Sequence, residues 1–257
     1  MRKMEACILD IRIWMRQNKL KLNDDKTELV IISPPLQSHK IHISSLRIGE
    51  IDVNASTSAK NLGAIFDDNM SLEPHVNNIV KSCNHQLRLI GSASKFLTAE
   101  ALEKVIHAFI SSRLDNGNSL LHGLPDTLLD KLQRVQNTAA RILTRTSKFD
   151  HISPVLHSLH WLKVPRRIEF KILTLTHKCL HGKAPQYLQD MIILRTGREG
   201  LKSSNTNLLI IPSSKNKSMG DRSFSVAGPT LWNKLPVELR CLVSFETFKT
   251  KLKSYLF

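Results

Sequence analysis

The chain has 257 residues, with 37 Lys+Arg against 22 Asp+Glu and a formal net charge of +15. Hydrophobic residues make up 41%, enough for a packed core, and 10 Gly and 10 Pro with no visible repeat exclude collagen-like and low-complexity classes. The charge points to a polyanionic partner, nucleic acid before membrane, and it is uneven: residues 1–70 hold 10 Lys+Arg and 9 Asp+Glu, residues 71–257 hold 27 and 13.

In chain order, Met4, Cys7, Ile8, Ile11, Trp14 and Met15 follow the i, i+3, i+4, i+7 spacing of an amphipathic helix, which assigns Trp14 and Met15 to the core. A polar loop, 23–27, leads to a short buried strand at 29–32, closed by Pro34-Pro35. Residues 46–48 and 51–53 flank Gly49-Glu50, a hairpin turn, and 62–66 read as another strand. Beyond residue 70 the period becomes helical. Val76, Ile79, Val80, Cys83, Leu87 and Ile90 form one stripe, and Thr98 caps a helix through Val105, Phe109 and Ile110. Pro125 precedes a helix with Leu128, Leu132, Val135, Ala139 and Ile142 inward. Pro165 opens one with Ile168, Ile172, Leu175 and Cys179, which Gly182 ends. Residues 195–222 read as a long polar loop. A last helix starts at Ser244, with Phe245, Phe248, Leu252 and Tyr255 inward. The expected fold class is α+β: a short helix-and-hairpin piece followed by a mainly α-helical region.

Cys7, Cys83, Cys179 and Cys241 are too scattered for a redox or zinc-knuckle motif and read as reduced thiols. The first 20 residues carry charges throughout, without the apolar core of a signal peptide, and no apolar run approaches the ~20 residues of a membrane span. The expectation is an intracellular protein, in nucleus or cytoplasm, with no membrane partner.

Residues 14–28 read Trp-Met-Arg-Gln-Asn-Lys-Leu-Lys-Leu-Asn-Asp-Asp-Lys-Thr-Glu. This resembles the segment just after the catalytic aspartates in reverse transcriptases of non-LTR (LINE-type, jockey-like) retrotransposons. Asn61-Leu62-Gly63 with Phe66-Asp67 is similar to the family's next palm element. Ser112-Arg113-Leu114-Asp115, Asn118 through Pro125, Lys131 through Asn137 with Ala139-Ala140-Arg141, and Leu159-His160-Trp161-Leu162 resemble its helical region. Leu231 through Pro236 and Phe248-Lys249 through Phe257 resemble its close. The resemblance spans nearly the whole chain in the family's order. It implies a truncated palm end at 1–70, a thumb-like helical region at 71–150 and a helical C-terminal domain at 151–257. The intact family is an RNA-directed DNA polymerase that uses Mg²⁺.

The family's catalytic hallmark, an aromatic residue, Ala and Asp-Asp, would precede Met1. The Asp-Asp pairs here, Asp24-Asp25 and Asp67-Asp68, lack the aromatic-Ala step, and Asn116-Gly117 stands where the family usually has Tyr-Cys. Two-metal phosphoryl transfer needs carboxylates converging from separate elements. The resemblance therefore implies a chain without polymerase chemistry or a cofactor of its own, retaining sequence-tolerant RNA/DNA binding. An inert or interaction-only relic is the second reading. A truncated reading of an active reverse transcriptase gene is the third.

Lys26 falls on the family's motif D position, which implies a lysine that protonates the leaving pyrophosphate or steadies its charge. Its alternative is a loop lysine in a relic palm. At about 100° per residue, Arg134, Arg141 and Arg145 fall within about 40° of one another, beside Lys131, and about 130° from the apolar stripe. A phosphate-tracking ridge and a solvated helix face are both open readings. Lys163, Arg166, Arg167 and Lys171 form a second basic cluster beside Trp161, which is either core or a base-stacking ring. His157, His160, Cys179 and His181 do not follow structural-zinc spacings, so no metal site is expected. No Gly-x-Ser-x-Gly or P-loop pattern supports a hydrolase or NTPase.

Overall fold

The computed structural model describes residues 2–23, 26–34, 44–48, 51–195, 207–214 and 216–257. The fold is mixed α+β, helices predominating, and the chain divides into two compact units, Met1–His75 and Val76–Phe257.

The first unit begins with helix α1 (Arg2–Gln17), which packs on β2 (Ser45–Ile48). Strands β1 (Leu29–Val30), β2 and β3 (Ile51–Ser56) form a sheet in the order β1-β3-β2, with β1 parallel and β2 antiparallel to β3. Ile48 pairs with Ile51, and the turn expected at Gly49-Glu50 lies outside the described residues. The strand expected at 62–66 is instead a hairpin, β4 (Ser58–Asn61) against β5 (Ala64–Asp67). Leu62 and Gly63 make its two-residue turn with φ of 47° and 90°, the left-handed pair that a tight hairpin requires and that Gly63 favours. Among the described residues the buried apolar side chains of this unit are Leu46, Ile48, Ala64 and Leu72. The α1 stripe departs from expectation, because Trp14 is 58% exposed and Met15 only half-buried. Helical spacing reports which residues share a face, not whether a neighbour covers it.

Helix α2 (Glu73–Ala93) buries Val76, Ile79, Cys83, Leu87 and Ile90. The Thr98 hydroxyl accepts from the Ala101 amide at 3.2 Å and caps α3 (Ala99–Ile106), as its sequence position implies. The helix continues through a π-turn at His107–Ser111 into α4 (Ser112–Asp115). Helix α5 (Asp126–Thr144) buries Leu128, Leu132, Val135 and Ala139 and packs against α6 (Ile152–Ser158) and α7 (Val164–Leu180). Residues on both sides of 150 thus share one unit. Gly182, at φ 64°, ends α7 in a Schellman turn, its amide on Cys179 O and that of Lys183 on Lys178 O.

Later α-helices among the described residues are α8 (Gln186–Gln189), α9 (Lys217–Gly220), α10 (Phe224–Asn233), α11 (Val237–Arg240) and α12 (Phe245–Leu256). The segment read as a loop from 195 is partly structured. Leu194 bridges Leu209, and Asn233 clamps Leu209 through both its amide and its carbonyl. Residues 196–206 and 215 lie outside the described residues. Helices α7, α10 and α12 enclose Leu173, Trp232, Phe248 and Leu252, each at most 2% exposed. Tyr255, expected inward, is exposed; Leu256 takes the inner position, as four residues after Leu252 demands.

Candidate nucleic-acid interface

Helix α6 ends in a Schellman turn: the His160 amide bonds His157 O, the Trp161 amide bonds Leu156 O, and His160 takes φ 51°. That left-handed step sends consecutive residues opposite ways. Trp161 enters the core, 7% exposed, its ring 5.5 Å from that of His107, while His160 stays exposed. Trp161 is therefore core, with an edge on a groove wall.

Two glutamines of α5 hold the next residues. Gln136, 1% exposed, donates to Leu162 O at 2.8 Å, and Gln133 accepts from the Val164 amide at 2.8 Å while donating to Gln136. Together they fix the backbone on both sides of Lys163 and set the direction of α7.

Along α6, α7 and α12 run three adjoining concavities of about 570, 430 and 430 Å³. The first two share His160, Phe170, Lys249 and Lys253; the first and third share Trp161 and Leu162; the last two share His157 and Phe257. Sharing these walls, the three make up a groove whose lining includes six Lys/Arg and two carboxylates.

The second basic cluster of the sequence lies here. Lys163 and Arg166 line the third concavity, Arg167 and Lys171 the first. Their roles differ. Arg167 makes a two-pronged pair with Asp115, using Nε to Oδ1 at 2.8 Å and Nη2 to Oδ2, which ties α7 to α4. Arg166 pairs with Glu169 at 2.7 Å, and Lys249 with Glu246 at 2.9 Å. Lys163, Lys171 and Lys253 are exposed and carry no carboxylate partner among the described residues. These three present uncompensated charge.

The first basic cluster does not form a continuous ridge. Helix α5 stops at Thr144, so Arg145 has left the helix at φ 56°. Arg141 turns its Nη2 onto Asp150 O at 2.8 Å, Lys131 donates to Asn77 at 2.9 Å, and Arg134 remains exposed. None of the four lines the groove. Lys26 is exposed in a short turn, its amide on Asn23 O.

Lys249 and Lys253 escaped the sequence reading. They sit four residues apart on α12, a spacing that puts both on one helix face. That signal is present in the sequence, but the apolar stripe of the same helix dominates its pattern.

Asp67 has a structural role, its carboxylate accepting from the Ser71 and Leu72 amides at 2.9 and 2.7 Å. Burial pushes its pKa up, but these hydrogen bonds outweigh burial and hold it below the ordinary carboxylate value. Asp24 and Asp25 lie outside the described residues. Among the described residues no three His, Cys, Asp or Glu side chains gather in a metal-holding group. His157 and His160 pack on Phe257, whereas His181 stacks on His177 near the end of α7 and Cys179 is buried, its thiol pushed up by burial. Among the described residues no helix is long and apolar enough to cross a membrane. No family model matches the chain, and no curated protein or solved structure matches it.

Proposed function

We propose that the chain is a C-terminal piece of a non-LTR retrotransposon reverse transcriptase that grips RNA or DNA without regard to sequence and does not polymerise. In this reading residues 1–70 are the end of the palm, 71–150 the thumb-like region and 151–257 the C-terminal domain. Lys26 is the vestige of motif D. The expected compartment is nucleus or cytoplasm.

One observation carries the binding half: the groove along α6, α7 and α12, where Lys163, Lys171 and Lys253 stand without carboxylate partners. Lysines spaced along a groove track a phosphate backbone and release its counterions. The other half is supported by the two Asp-Asp pairs in hand, Asp24-Asp25 and Asp67-Asp68, neither of which follows an aromatic-Ala step.

The binding test is affinity for a nucleic acid across a salt series. Affinity should fall steeply with log salt, and the combined variant Lys163→Gln, Lys171→Gln, Lys253→Gln should flatten the slope by about 2–3. No binding in dilute buffer, or an unchanged slope in the variant, refutes the groove. Primer extension with Mg²⁺ tests the other half, and clear DNA synthesis by this chain would overturn it. An interaction-only protein is the second reading, favoured by the exposed apolar side chains of α1, including Met4, Leu9, Ile13 and Trp14.

A further inference from the structure

Charge alone does not account for the shape of the groove. Its second and third concavities, about 430 Å³ each, meet at His157 and Phe257, which line both. The two rings pack edge to face with centroids 5.2 Å apart, so an aromatic partition stands between two hollows. Each hollow falls within the ~300–1,000 Å³ of sites that take small organic groups. Each also has its own cations: Lys249 and Lys253 on one side, Lys163 and Arg166 on the other. Phe257 and Tyr255 are 43% and 51% exposed on this wall, where a purely electrostatic surface has no use for apolar rings.

We propose that the groove takes a single-stranded polynucleotide, with one base in each hollow stacked against the His157–Phe257 partition and the flanking phosphates on Lys253 and Lys163. Tyr255 supplies a second stacking face in the hollow beside Lys163. The inference rests on the nucleic-acid reading above and narrows it. Every base offers a π face, so stacking is indifferent to sequence. In a duplex those faces are covered by neighbouring bases, and only the charge attraction remains. A strand of splayed bases and phosphates suits a wall that carries both rings and lysines.

The test compares, on the full chain, a single strand, a blunt duplex of equal length, and a single strand whose bases are replaced by abasic spacers, in RNA and in DNA. The abasic strand keeps every phosphate. It should bind about tenfold more weakly than the normal strand, or less tightly still, with the same salt slope. The double variant Tyr255→Leu, Phe257→Leu should lose about the same factor on the normal strand and nothing on the abasic one. Both side chains are about half exposed, so thermal unfolding should change little. A loss confined to RNA or to DNA identifies that polymer as the occupant. Equal affinity for normal and abasic strands, or tighter binding of the duplex, overturns the stacking proposal while a steep salt slope leaves the basic groove standing. If no strand binds in dilute buffer, the nucleic-acid reading itself falls.

Discussion

Trp14 and Trp232 are the same side chain in two regions that treat it oppositely. In Met1–His75 the indole of Trp14 is 58% exposed; in Val76–Phe257 that of Trp232 is fully buried, its Nε1 donating to Asn207 O at 2.8 Å. Of the largest fully buried side chains among the described residues, only Leu72 belongs to the first region. Charge divides along the same line, with 10 Lys+Arg and 10 Asp+Glu up to residue 75 and 27 and 12 beyond it. Residues 1–75 lean on strand ladders and on the Asp67 carboxylate, whereas 76–257 lean on interlocked apolar side chains and present a cationic groove. Local stability follows buried apolar contact, so the second region should hold the more slowly exchanging amides.

The sharpest way to break this contrast is to truncate one aromatic in each region. Phe248→Ala should cost about 3–5 kcal/mol in urea unfolding, while Trp14→Ala should stay within about 0.5 kcal/mol. Comparable losses would erase the distinction. Removing the support beneath Lys163 should matter less. Gln136→Met leaves Leu162 O without its donor and should cost about 1–3 kcal/mol, with nucleic-acid affinity falling alongside.

Acid should act on the second region through His177. Its Nε2 donates to Leu242 O at 2.8 Å, its ring lies between His181 and Phe248, and its Nδ1 is buried without a partner. Burial is the main cause that lowers its pKa below the ordinary 6.5. The unfolded chain therefore takes up the proton first. Stability should be intact above about pH 6.5, decline as pH falls through that value, and keep declining until the folded-state pKa is passed. His122, also lowered by burial, adds in the same direction. The melting temperature of His177→Gln should depend less on pH between 7 and 5, since its share of the titration is removed. An unaltered pH dependence would remove His177 from the account. The smallest expected effect is a gain: Leu62→Asn, at φ 47° before Gly63, should stabilise the β4–β5 hairpin by about 0.5 kcal/mol in thermal unfolding.

Much of the helical architecture was legible because its signals are local. Thr98 and Ser244 mark helix starts through hydroxyls that accept the Ala101 and Thr247 amides, and Pro165 and Gly182 mark a helix start and a helix end through their own backbone preferences. The exposure of Trp14 was not legible, since a stripe says nothing about what lies opposite it. The 62–66 strand went astray because Gly63 outweighed the apolar run around it. Of the two basic clusters, the one around Lys163 lines the groove, but the pairing of Arg167 with Asp115 spans 52 residues, which no local pattern reports. The dispersal of the α5 ridge followed from the helix ending at Thr144, which takes Arg145 off the face of Arg134, and from the hydrogen bonds of Arg141 and Lys131 to Asp150 and Asn77. The glutamines were overlooked because a buried amide acts through whichever carbonyl the fold brings to it.

Helix α12 faces two ways: Phe248 and Leu252 complete the core, and Lys249 and Lys253 complete the groove. A ribosome makes this helix after every other element of the groove. Without it the core around Trp232 stays open and the groove lacks its Lys249 and Lys253 wall, so closing that core and finishing that groove are one folding event.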